Sequence, residues 1–156
     1  MVRAAADAIF VDTNVLVAAN VVTHPKHSVA LSRLKELAAA GAELWISRQV
    51  LREYLSVLTR PQTFSTAQPI TALIPQIDYF QARMLVAEDN VAVTAKLLEL
   101  LLATSAGGKH IHDANIVATM LVNGVTQLLT DNIADFKRFE AVVRVVPLSV
   151  VLEPPG

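Results

Sequence analysis

An α/β domain built on a parallel sheet is the fold this sequence predicts, and three observations predict it. Five short apolar runs of strand length alternate with longer segments of helical periodicity, a pattern that calls for crossover connections and parallel strands. At 156 residues the chain is long enough for one sizeable core, and no linker, repeat or low-complexity tract divides it. Residues 1–156 therefore read as a single domain with an ordered core of about 8–150. Hydrophobic residues make up 53% of the chain and its mean hydropathy is +0.46. The longest apolar run, near Ile9 to Val22, is broken by Asp12, Asn14 and Asn20, which argues against a membrane span.

Residues 8–12 (AIFVD) form the first expected strand, after which the chain turns helical through VLVAA. His24-Pro25 marks a loop. Ser28 is placed to cap a helix over 29–40, with Gly41 at its C-terminal stop. Residues 43–47 (ELWIS) are the second strand. A helix over 47–59 is closed by Arg60-Pro61, and 61–69 is the most loop-like stretch. Residues 70–83 read as helical, with Pro75 as a break or restart. The third strand is 84–88 (MLVAE), and a helix over 91–104 ends at Ser105-Ala106-Gly107-Gly108. Another helix spans 112–123, stopped by Gly124. Strands at 127–131 and 143–148 follow, and the Pro-Pro-Gly end is expected to fray.

Composition excludes several function classes. There is no cysteine, so disulfides and thiolate metal sites are ruled out, and a cytoplasmic setting is favoured. Met1 to Ala6 shows no signal-peptide pattern. The formal net charge of −1 leaves no basic coat for nucleic acid. Any such contact needs a local patch, with acidic groups held off phosphate by bound cations.

Acidic residues stand at the edges of four apolar segments: Asp12, Glu53, Asp113 and Asp131. A carboxylate against a buried run is costly unless something positive meets it. In a parallel sheet, functional groups gather beyond the carboxyl ends of the strands, where Asp12 and Asp131 would both project. Either could instead cap the next helix. Asp113 heads the stripe of Ile116, Val117, Met120 and Leu121, the core-facing side of its helix. Glu53 borders the apolar stripe of its own helix, where pairing with Arg52, Arg60 or Gln49 is the plainer reading. Taken together, the four suit a hard, oxygen-seeking cation, chiefly Mg2+ with Mn2+ as substitute. Such a site can activate water and steady the leaving oxygen of a phosphodiester. Thr13, Asn14 and Thr130 stand ready to orient the carboxylates by hydrogen bonds.

Asp-Thr-Asn after an apolar strand, Glu53 on the third helix, His-Asp-Ala opening a helix, and Leu-Leu-Thr-Asp-Asn followed by Asp135-Phe136 resemble a PIN domain. The resemblance is to the VapC-like ribonuclease toxins of toxin–antitoxin pairs, and it runs from about Ile9 to Pro147. It implies a five-stranded parallel sheet flanked by helices, Mg2+-dependent cleavage of RNA, a cognate antitoxin and a homodimer. Asp12, Glu53 and Asp113 take the first three acidic positions and the role of metal ligands. Many members carry the fourth acid two residues after the Thr, and here that residue is Asn132. Asp131, Asn132 and Asp135 are thus alternative groups for completing the site.

His24, His27, His110 and His112 lack a matched set of zinc partners. Arg48, Arg52, Arg60, Lys109, Lys137 and Arg138 lie near the motifs, and two or three of them would form a phosphate-positioning rim. The apolar surplus places a partner surface along 15–37 and 50–58. Two further functions compete: an RNA-processing nuclease without an antitoxin, and an inactive module that binds RNA or protein. A phosphatase of the haloacid-dehalogenase kind would need Asp two residues after Asp12, where Asn14 stands.

Overall fold

The computed structural model describes residue 5 and residues 7–149. The readings made for Met1 to Ala6 and for the Pro-Pro-Gly end concern residues that, Ala5 apart, lie outside these. Five strands, β1 (Ala8–Val11), β2 (Glu43–Ser47), β3 (Leu85–Ala87), β4 (Gln127–Thr130) and β5 (Arg144–Pro147), form one sheet in the order β3-β2-β1-β4-β5. Every pairing is parallel, as the alternation of strand and helix requires. All five carboxyl ends therefore open on one edge. β1 is central and wholly buried, and Phe10 sits opposite both Trp45 of β2 and Leu128 of β4.

Among the described residues seven α-helices connect the strands: α1 (Thr13–Asn20), α2 (His27–Ala39), α3 (Arg48–Leu58), α4 (Ile70–Arg83), α5 (Val91–Thr104), α6 (His110–Val122) and the single turn α7 (Ile133–Phe136). Three caps fix where helices start. The Asp12 side chain accepts from Thr13 N, Ser47 Oγ from Val50 N, and Asn90 Oδ1 from Val93 N. Gly41 (φ 81°) and Gly124 (φ 75°) take the left-handed conformation that ends α2 and α6.

Three local expectations change. α2 begins at His27 with no side-chain cap, so Ser28 lies inside the helix. α6 begins at His110, two residues early, because His110 N bonds Gly107 O and Ile111 N bonds Gly108 O, winding the glycine turn into the helix. Pro75 does not break α4: it and Thr71 are both exposed, so water can satisfy the carbonyl that proline leaves unpaired.

The apolar surplus is also spent differently. Val15 to Ala19 of α1 and Val50, Leu51, Tyr54 and Leu58 of α3 are buried in the core, and Leu34 and Leu37 of α2 pack on it. The large apolar side chains left exposed include Ile70, Ile74 and Tyr79 on α4 and Val91, Leu98 and Leu102 on α5. Surplus surface thus lies on α4 and α5 more than on 15–37 and 50–58.

Candidate active site

A cleft of about 400 Å3 opens at the carboxyl edge of the sheet, and Asp12, Asn14, Glu53, Asp113 and Asn132 line its acidic side. Asp12 follows β1 directly, where the ladder persists one residue further through Asp12 N to Leu129 O (3.0 Å). Its side chain therefore emerges between β1 and β4. Only 6% of Asp12 is exposed. One carboxylate oxygen accepts from Thr13 N (2.8 Å), the other from Thr130 Oγ1 (2.8 Å) and Asn14 Nδ2 (3.3 Å). Burial pushes its pKa from 3.8 up to about 6, against those hydrogen bonds and with help from the charges of Glu53 and Asp113.

Asn14 ties the exits of β1 and β4 together. Its Nδ2 also donates to Thr130 Oγ1 (3.2 Å), while its Oδ1 accepts from Asp131 N (3.1 Å). Thr130 Oγ1 accepts in addition from Asn132 N (3.0 Å), which fixes the turn after β4.

Glu53 comes in on α3. Thr13 Oγ1 donates to one oxygen (2.8 Å) and Gln49 Nε2, one helical turn before, to the other (2.9 Å). Of the partners considered from sequence, Gln49 is the one engaged. Gln49 is itself buried and joins α3 to α6: its Nε2 also donates to His112 O (2.9 Å), and its Oε1 accepts from Asn115 Nδ2 (2.8 Å). Asn115 reaches on to Asp89 (3.3 Å). Sequence reading offered Gln49 as a partner of Glu53 but missed its link through His112 O and Asn115 to α6.

Asp113 stands in the first turn of α6, partly buried, with its Oδ2 3.3 Å from His110 Nδ1. Burial raises its pKa, the pairing with His110 lowers it, and the nearby charges of Asp135 and Glu53 raise it. Ligand atoms of His110, Asp113 and Asp135 all lie within 4.8 Å of one another, a spacing that could hold a metal ion. Among the described residues no such group includes Asp12 or Glu53, which share the cleft with Asp113 from its other side. One of the four histidines thus sits with two carboxylates, an arrangement that sequence spacing alone did not disclose.

The three alternatives after β4 part company. Asp131 turns to Lys26, 2.6 Å from its Nζ, and lines a different groove with Arg33 and Arg144. Asn132 lines the cleft and donates to Asp135 Oδ2 (2.5 Å). Of the expected cationic rim, Arg48 is bonded to Glu88 (3.0 Å) and Arg52 lies 3.8 Å from Asp89; Arg60 borders the cleft.

Comparison with known proteins places this geometry. The family profile described as PIN domain matches residues 9–142. No curated protein matches the chain. Among solved structures, VapBC2 from Rickettsia felis bound to a DNA fragment from their promoter is similar at 21% identity and a TM-score of 0.66, covering 90% of this chain and 98% of that one. VapBC-1 from nontypeable Haemophilus influenzae is similar at 16% identity and a TM-score of 0.65, over 90% of this chain and 98% of that one. The Mycobacterium tuberculosis toxin VapC20, which cleaves the sarcin-ricin loop, is similar at 21% identity and a TM-score of 0.57, over 77% and 86%. At these identities the structural likeness is one of fold.

Proposed function

The chain belongs to the PIN-domain family, and from that premise we propose that it is a Mg2+-dependent endoribonuclease, the toxin of a VapBC-type pair. The observation that carries the reading is the cleft where Asp12, Glu53 and Asp113, brought from three separate elements, crowd like charges around a desolvated carboxylate. Such a set gains from a divalent cation, and its donors are the oxygens that Mg2+ and Mn2+ prefer.

Asp12, Glu53 and Asp113 would hold the ion, with Asp135 and His110 adjoining it through Asp113. When bound, the cation supplies Lewis acidity and neutralises charge developing on the phosphodiester. The chain's own contribution is placement. Thr130, Asn14 and Thr13 N hold Asp12 in one orientation, while Thr13 Oγ1 and Gln49 hold Glu53. Asp12 must be ionised to bind a cation, and its raised pKa makes that state pH-dependent. Arg60 sets one cation at the border of this acidic cleft. A cognate antitoxin, a homodimeric assembly and a cytoplasmic setting complete this reading. In its support, no helix among the described residues is long and apolar enough to cross a membrane, and exposed apolar residues on α4 and α5 offer a partner surface.

The test is cleavage of single-stranded RNA by purified protein in Mg2+ or Mn2+. Cleavage abolished by chelator and by Asp12→Asn supports the reading. A well-folded wild-type protein inert in both metals refutes it and leaves the binding-only alternative, which the neutral Asn132 in the cleft favours.

A further inference from the structure

Beside its acids, the cleft has a second wall. His24, Arg60, Gln62, Phe64, Val57 and Phe136 line it, so apolar and aromatic surface stands within one pocket of the carboxylates. An ion site alone needs no such wall. An unpaired nucleobase does: it takes affinity from stacking on an aromatic face and identity from hydrogen bonds at its edge.

The wall is fixed in place. His24 and Phe64 form a tilted ring pair with centroids 4.4 Å apart. Phe64 sits in a tight turn closed by Gln62 N to Ser65 O (2.7 Å), and Thr23 Oγ1 donates to Phe64 O, tying the turn to the loop that carries His24. The polar groups are partly spent, which shows what remains to read a base. Arg60 uses Nε on Ser56 O (3.0 Å), leaving its two terminal nitrogens as donors. Gln62 uses Nε2 on Val57 O (2.8 Å), leaving Oε1 as an acceptor. His24 Nδ1 accepts from Lys26 N (3.0 Å), so in the neutral ring the proton sits on Nε2, a third donor. Burial lowers the pKa of His24, which favours that neutral ring.

Among the described residues, two donor groups and one acceptor remain unspent around an apolar slot. Uracil matches this set with two keto oxygens flanking an imino N–H, and guanine with its keto O6 and N7 as acceptors and an imino N–H as donor. Adenine and cytosine present an amino group where Arg60 and His24 both donate. We propose that this wall is a subsite for a keto nucleobase, guanine or uracil, next to the scissile phosphate. Phe64 supplies the stacking face, and Arg60, Gln62 and His24 read the edge.

The inference rests on the RNA reading above, and its test separates the two. Fluorescence anisotropy measures binding of short single-stranded homopolymers of G, U, A and C to the Asp12→Asn protein with Mg2+ present. Sequencing maps the ends that wild type produces from a random RNA pool. Binding of G or U about tenfold or more above A and C is expected, with the same bases flanking the cuts. Phe64→Ala should weaken binding of the preferred base by roughly 10- to 100-fold. Phe64→Leu, which keeps the turn filled, should show most of that loss. Arg60→Ala and Gln62→Leu should flatten the base preference more than they reduce total binding. Equal binding of all four bases, or Phe64→Leu binding as wild type does, overturns the subsite. Cleavage without base preference overturns it and leaves the nuclease standing. A keto-base preference in binding without any cleavage supports the subsite and sinks the nuclease.

Discussion

Asp12 destabilises the metal-free protein at neutral pH, and the effect has a calculable size. Its pKa is 3.8 by ordinary standards and about 6 in the folded chain, because only 6% of the residue is exposed and Glu53 and Asp113 share its cleft. The native state therefore holds this proton more tightly than the unfolded state. Between the two pKa values the folded protein binds more protons, so stability falls as pH rises and the penalty is complete above about 6. The whole shift corresponds to about 3 kcal/mol, of which roughly 2 kcal/mol appears between about pH 4.5 and 7.5.

The assay is urea unfolding of wild type and Asp12→Asn in chelator at those two pH values. Comparing the pair cancels most of the remaining titration. At the lower pH the variant should be the weaker protein. Its amide nitrogen would face Asn14 Nδ2 and the Thr130 hydroxyl, which both donate to the carboxylate oxygen it replaces. Raising the pH should move the difference in the variant's favour by about 2 kcal/mol. Saturating Mg2+ should then stabilise wild type by about 2.7 kcal/mol at a hundredfold excess over Kd, and Asp12→Asn far less. A difference between the two proteins that stays constant with pH would refute the reasoning, for Asp12 would then carry no burial penalty.

Asp131→Ala should keep most of the cleavage activity and cost about 0–1 kcal/mol, since its partner Lys26 is a half-exposed surface cation. Asp12→Ala in the same assay should lose at least about 100-fold, and equal losses would return Asp131 to the site. Asn132→Asp should tighten Mn2+ binding by about tenfold, read by calorimetry, because it sets a second carboxylate against Asp135; unchanged affinity would remove residue 132 from the ion's surroundings. Gly41→Ala should lower stability by about 1 kcal/mol through its φ of 81° alone, since a Cβ there meets no atom within 4 Å. A melting temperature equal to wild type would contradict that.

The sheet was legible because its signal is repetitive. Each strand is a short buried run between helical periods, and only parallel pairing fits that alternation. What lay between elements was less legible. Nothing in the composition of Gly107-Gly108-Lys109 distinguishes a loop from the i to i−3 bonds that carry α6 two residues further back. Buried and exposed apolar faces also look alike in sequence. Val15 to Ala19 and the α5 residues Leu98 and Leu102 are equally hydrophobic, yet the first lies in the core and the second faces solvent. At the site, Asp12 and Asp113 stood out because a carboxylate on an apolar run needs a reason. Asn115, His110 and the bridge from Gln49 to α6 did not, because these roles arise only where α3, α6 and α7 meet. Lys26 lies 105 residues before Asp131, and no local pattern joins them.

The same hydrogen bonds divide the cleft into a rigid half and an adaptable half. Asp12 accepts three bonds and Glu53 two, from donors that are themselves bonded across β1, β4, α3 and α6. Those carboxylates hold their positions without an ion because moving either would strand Thr13, Asn14, Thr130 or Gln49. Among the described residues Asp113 is held by His110, and Asp135 by the side chain of Asn132. Both stand in the first turn of their helices, where a side chain can reorient without unmaking a sheet. The rigid half is built where two central strands end side by side, which is why it comes from the least changeable part of the fold. The adaptable half hangs on α6 and α7. On the proposed reading it would draw toward a cation and a phosphate after they arrive, and repulsion among the acids would stay low until they are neutralised.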